Sequence, residues 1–218
     1  MKGVENAWRR RIGAYWLFYG FPYFERYPSC YDGAMKRRIF LAIDLPADLK
    51  TEVAGLIQQW RWLPIQWQKP EHWHITVLPP IALEDEEVAA LASALRASRL
   101  GGPFSVAFSN IVLAPSGGQA RMVWLEGKTP ESLPALREHI EDVWNADKRL
   151  PALRPEARAL ALHVTLARFE PGDLKELEVK TKILGAVKLK FEAADIAVME
   201  SRLFPNGAEY RTLATAAL

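Results

Sequence analysis

Two tetrapeptides carry the chemistry this chain can be expected to do. His74-Ile75-Thr76-Val77 recurs as His163-Val164-Thr165-Leu166, 89 residues later, and the pair uses two of the four histidines. In an extended strand, residues two apart face the same way. His74 and Thr76 then share a face with His72 beside them, while Trp73, Ile75 and Val77 point to a packed side. His163 and Thr165 likewise share a face, with Leu162, Val164 and Leu166 behind them. A lone strand histidine is most often a surface or hydrogen-bonded core residue. Two copies on similar apolar backings point instead to two imidazoles facing one bound group.

That pair suits in-line displacement at phosphorus. A neutral imidazole takes a proton from the attacking water, and a protonated one gives a proton to the departing oxygen. Histidine's ordinary pKa near 6.5 makes both forms available close to neutrality. The threonine hydroxyls can donate hydrogen bonds to non-bridging oxygens as charge develops there. No metal or nucleotide cofactor is needed for this scheme, and the two motifs are too alike to say which histidine is the acid. His139, mid-helix between Glu138 and Glu141, reads as solvated, and His72 as a contact at the groove edge.

The rest of the chain must position these motifs. A buried-strand pattern over 39–44, ended by Pro46, leads into an amphipathic helix over 47–60, with Leu49, Val53, Leu56 and Ile57 at helical spacing. A short strand near 65–68 precedes an alternating stretch over 71–78 that contains the first motif. A helix is expected over 85–100, strands over 104–113 and 121–125 about the turn Pro115-Ser116-Gly117-Gly118, and a helix over 132–144. The second motif lies in a strand over 161–167. A helix over 174–184 and strands over 187–191, 196–204 and 210–214 complete the pattern. This is an α+β arrangement of mostly antiparallel sheets with helices on their outer faces.

Composition narrows the alternatives. Half of the 218 residues are hydrophobic and a quarter charged, as in an ordinary globular protein. The single cysteine, Cys30, excludes an internal disulfide framework and fits a reducing, cytoplasmic setting. No histidine pair has a familiar zinc spacing. The net charge of +2 resides wholly in residues 1–34, which leaves 35–218 neutral, so phosphate recognition there must come from a few placed groups.

Residues 1–34 are a different kind of text, holding five of the six tyrosines and ten aromatic residues. The apolar stretch over 12–24, broken by Gly13, Gly20 and Pro22, is shorter than the ~20 residues a membrane-spanning helix needs, and no signal-peptidase site comes after it. The segment reads as an extension that is not native, with Met35 as the natural start. An aromatic arm packed on the domain is the alternative. The remainder, 35–218, reads as one domain of two lobes with one motif each.

Over about 36–218 the chain resembles the two-histidine phosphoesterase superfamily, defined by paired His-x-Thr/Ser-x motifs. More narrowly, it resembles the RNA 2′,3′-cyclic phosphodiesterases, historically called 2′-5′ RNA ligases. Besides the two motifs, the resemblance rests on the opening run Arg38-Ile39-Phe40-Leu41-Ala42-Ile43-Asp44-Leu45-Pro46 and on Ala167-Arg168 after the second motif. It rests also on Val198-Met199-Glu200-Ser201-Arg202-Leu203, with Pro205, Gly207 and Tyr210-Arg211-Thr212-Leu213. It implies a bilobal, pseudo-symmetric fold with its site in the groove between lobes. It also implies hydrolysis of RNA 2′,3′-cyclic phosphate ends to 2′-phosphomonoesters. By the same resemblance His74 would be the proton donor, His163 the acceptor that activates water, and Thr76 and Thr165 the phosphate-binding residues. Arg168 would assist charge neutralisation, although strict alternation sets it opposite His163 and so past the strand's end.

One departure concerns Pro79, Pro80 and Ile81, which stand where the family usually has Phe-Leu-Gly. Proline cannot donate to a ladder, so the strand is expected to stop there. The expected partner is RNA with a cyclic phosphate end, tRNA fragments among the candidates, or a small cyclic-phosphate nucleotide. A monomer without membrane association is expected. The rival readings are 2′-5′ RNA ligation on the same site and a non-catalytic RNA- or nucleotide-binding module of the same fold. Both motifs are complete, which argues against the module.

Overall fold

A computed structural model describes residues 36–116, 119–153, 159–170, 185–204 and 207–218. The extension 1–34, the proposed start Met35, the helix expected over 174–184, Pro205, and Gly117 and Gly118 of the expected turn lie outside the described residues.

The first strand, β1 (Arg37–Asp44), is apolar on both faces because it lies inside a sheet and is covered on both sides. Pro46 ends it and precedes α1 (Ala47–Ile57), whose Leu49, Val53 and Ile57 are buried. A 3-10 turn over Gln58–Trp60 comes next. The two-residue strand β2 (Gln66–Trp67) and a second 3-10 turn, Pro70–His72, lead to β3 (His74–Leu83). Helix α2 (Asp85–Ala97) starts on a reciprocal cap between Glu84 and Glu87, which satisfies donors the helix itself leaves open. Then come β4 (Phe104–Ala114), β5 (Met122–Glu126), α3 (Ser132–Ala146), β6 (His163–Arg168), β7 (Gly185–Ala193), β8 (Asp195–Phe204) and β9 (Gly207–Ala217).

The strands form two antiparallel sheets, in the orders β3-β1-β8-β9 and β2-β6-β5-β4-β7. Set aside β2, and the two orders correspond strand for strand, with β3 matching β6. The α+β, two-sheet expectation holds, but the sheets are not sequential halves. The C-terminal hairpin β8–β9 completes the sheet of β1 and β3, and β2, from the first part of the chain, pairs with β6 in the other. One apolar core runs behind both sheets and includes Trp73, Ile75, Leu91, Leu125, Ile140 and Val164.

The expectation that the third strand stops at Pro79 is not met. β3 continues to Leu83, and Pro79 and Pro80 together oppose Phe40 at an irregularity between the pairs Leu41↔Leu78 and Ile39↔Ile81. β3 lies at the edge of its sheet. A proline there, at a bulge, forfeits no bond that a neighbouring strand requires.

Gly127 lets the chain leaving β5 pass close against β4, because a Cβ there would run into the carbonyl oxygen of Ala107. Backbone cannot yield as a flexible side chain can. Gly127→Ala is therefore expected to destabilise the fold by about 1–3 kcal/mol, seen as a lower urea midpoint at unchanged m.

Candidate active site

The period-two pattern of the motifs is realised in both strands. Trp73, Ile75 and Val77 are buried, as are Leu162, Val164 and Leu166, while His74, Thr76, His163 and Thr165 are half-buried on the opposite face. β3 and β6 come together from the two sheets, which brings the two motifs to one groove.

Both imidazoles are oriented by the same device. His74 Nδ1 lies 2.7 Å from the carbonyl oxygen of His72, and His163 Nδ1 lies 2.9 Å from that of Ala161. A carbonyl only accepts, so each Nδ1 carries the proton and each Nε2 is left to exchange protons with a bound group. In each case the anchor is the residue two positions earlier, so the tautomer is fixed locally.

The pairing in the second sheet brings Arg168 to the groove face. Alternation had set it opposite His163 and past the strand's end. It is instead the last residue of β6 and lies on the same side as His163. The pairing of β5 with β6 shifts between Val123↔Ala167 and Trp124↔Thr165, leaving Leu166 as an extra residue. Leu166 and Ala167 are therefore both buried, and the bulge reverses the parity of the residues beyond it. β3 bulges in the same way at Val77, between Thr76↔Ala42 and Leu78↔Leu41. Five residues after its histidine each strand returns to the groove face, with Arg168 in one strand and Pro79 in the other. At this matched position one strand presents a guanidinium and the other a proline ring.

The Arg168 guanidinium is held below its ordinary pKa by burial, yet still far above neutrality, and its Nη1 lies 3.3 Å from Met122 Sδ. Its charge lowers the pKa of both histidines, although burial is the larger cause in each case. Burial lowers His74 to about 4, with further lowering from the charges of His72, His163 and Arg168 against the raising effect of its backbone hydrogen bond. His163 is also lowered, mainly by burial. Both rings are therefore neutral in the free protein at pH 7.

Aromatic side chains that the sequence reading did not assign to the site complete it. His163 stacks on Trp124 from β5, with centroids 4.0 Å apart and 25° between planes. His74 meets Phe40 at 4.9 Å and the edge of Tyr210 at 5.2 Å, and His72 meets Tyr210 at 4.9 Å. His72 is thus a groove-edge residue, as expected, and His139 is exposed on α3. Trp124 could have been found from its strand, where it alternates with the buried Val123 and Leu125. Phe40 could not, because β1 is apolar on both faces. Among the described residues, no three His, Cys, Asp or Glu side chains gather as a metal site, and no helix is long and apolar enough to cross a membrane.

The comparisons with known proteins agree with this architecture. Residues 43–124 match the model of the LigT-like phosphoesterase family, a stretch that includes the first motif. The RNA 2′,3′-cyclic phosphodiesterase of Methanocaldococcus jannaschii is 25% identical over 179 residues, covering 81% of this chain and 98% of that protein. Two solved structures share the fold. A Thermus thermophilus protein has a TM-score of 0.66 at 20% identity, over 83% of this chain and 97% of its own. Escherichia coli LigT complexed with 3′-AMP has a TM-score of 0.63 at 18% identity, over 84% and 98%. Over residues 43–124 this chain is similar to the LigT-like phosphoesterases, and over most of its length it is similar to the curated relative and shares the fold of the two solved structures.

Proposed function

We propose that this protein hydrolyses RNA 2′,3′-cyclic phosphate ends to 2′-phosphomonoesters, with His74 as proton donor and His163 as acceptor. The observation that carries the reading is the pair of imidazoles brought to one groove, each with Nδ1–H tied to a backbone carbonyl and Nε2 left free for proton exchange. Water attacks phosphorus in line with the bond from phosphorus to the ribose O3′. Its proton passes to His163 Nε2 as the new P–O bond forms. The P–O3′ bond breaks, and the Nε2 proton of His74 goes to O3′, leaving a 3′-hydroxyl and a 2′-phosphate. Thr76 and Thr165 donate hydrogen bonds to the non-bridging oxygens, and Arg168 balances the charge that grows there. The two imidazoles supply both proton transfers, so the step calls for no metal.

The local asymmetry supports this order of roles. Positive charge develops on the acceptor during attack, and the indole face of Trp124 beneath His163 favours a cation there. Burial makes His74 a reluctant cation, so once protonated it is a ready donor. The anionic phosphate raises both pKa values on binding.

These two titrations set the pH dependence. Catalysis needs His74 protonated and His163 neutral, the minor arrangement of the singly protonated protein. In the free protein both singly protonated arrangements peak between the two pKa values, one at about 4 and the other below 6.5. kcat/KM should therefore peak on the acid side of pH 6.5 and fall as pH rises. kcat, which reports the complex, should extend further toward alkaline pH. Profiles of both constants check this, and a kcat/KM limb that begins to fall only above pH ~8 would contradict it.

The direct test is incubation with EDTA and a short RNA ending in a 2′,3′-cyclic phosphate, with identification of the phosphate position in the product. A 2′-phosphate is expected. A 3′-phosphate, or no turnover, overturns the proposal.

A further inference from the structure

The groove face of the second sheet does not end at the histidines. His163 pairs with Glu126, Glu126 with Asn110, and Asn110 with Ala186, so one row runs from β6 across β5 and β4 to β7. Directly paired residues share a face, and Trp124, two residues from Glu126, stacks on His163. This row therefore lies on the groove side. Val106, Phe108 and Leu189 of the outer strands are buried in the core behind. Opposite them, Ser105, Ser109, Asn110, Lys188 and Lys190 are exposed. Ser109 and Asn110 are exposed in succession because the β4–β7 pairing shifts between Phe108 and Asn110. No described element covers this face.

Its placement gives it a direction. Three strand spacings of ~4.8 Å set β7 roughly 14 Å from β6 across the sheet. Lys188 and Lys190 lie beyond the row of His163, on the side away from Arg168, which pairs with Met122 at the other end of β5. Small and polar side chains fill the interval, so an extended polymer can lie against the sheet. Neither lysine has an ion pair with a described residue. Glu126 at the groove end and Glu192 beyond Lys190 bound the strip, and exposed Lys128 comes directly after Gly127, which lies against Ala107, the partner of Lys190. The strip is thus locally cationic on a neutral domain.

We propose that the exposed β4–β7 face, through Lys188 and Lys190, binds the phosphodiester backbone of single-stranded RNA 5′ to the reacting end, making the protein selective for oligonucleotides over cyclic mononucleotides. The inference rests on the hydrolase reading above. It is favoured by charge complementarity and by the continuity of this face with the groove. A cyclic mononucleotide would not reach the strip.

The test compares wild type with the double variant Lys188→Gln/Lys190→Gln. The substrates are a 2′,3′-cyclic mononucleotide and a six-nucleotide RNA with the same end. The variant should lower kcat/KM for the hexamer about three- to tenfold at low salt and leave the mononucleotide unchanged. Its log–log salt slope on the hexamer should be shallower by about 1.4, as two phosphate contacts on a single strand require. Equal effects on both substrates, or none on either, overturn the inference while leaving hydrolysis intact. If wild type turns over neither substrate, the hydrolase reading fails. A titration of each protein with a fluorescently labelled hexamer then decides the strip alone: weaker binding by the variant upholds it, and equal binding overturns it.

Discussion

Replacing His74 or His163 with alanine should lower kcat for a 2′,3′-cyclic phosphate end by about 10²–10⁴-fold, the range for losing a positioned proton-transfer group. Each ring is held by one hydrogen bond from Nδ1 and by ring contacts at the groove, and the strands behind them are anchored by Trp73, Ile75, Val164 and Leu166. The variants should accordingly fold, and thermal unfolding should show small shifts beside the kinetic loss. The two groups serve one concerted step, so the double variant should be little worse than either single one. Losses that multiply would mean that the histidines act in separate events. Activity within a few-fold of wild type in either variant would remove that residue from the mechanism.

Arg168→Gln should have the next largest effect, about 10²–10³ in kcat, comparable to removing one charge-stabilising donor. The residue is a half-buried cation whose charge acts on both histidines, so an anion bound between the rings would lie within its field. Arg168→Lys should recover only part of the loss, because an ammonium cannot present two parallel donors to a phosphate. A second readout separates this role from a structural one. Arg168 depresses the pKa of His74 and of His163, so its removal raises both. The kcat/KM profile of Arg168→Gln should then move toward higher pH. An arginine that merely packed against Met122 would lower the unfolding midpoint and leave the profile where it was.

The order of amino acids alone carries the proposed chemistry. A repeated His-x-Thr at strand periodicity states which side chains share a face and which enter the core, and each motif behaves as that local rule requires. It also carries the three described α-helices, whose spacing is a property of one segment, and the neutral domain that must recognise phosphate through few groups.

Other features were decided between segments. Whether Arg168 reaches the groove depends on one extra residue, Leu166, in the pairing of β6 with β5, a count that neither strand contains alone. Pro79 and Pro80 fit inside β3 because that strand lies at a sheet edge, opposite Phe40. Edge position depends on strand order, and the order joins the chain's first strands to its last. The rings beside the histidines come from β1, β5 and β9, brought there by the same pairing. Periodicity fixes a side chain's direction within its own strand. Register and order, set by long-range packing, fix what that direction points at.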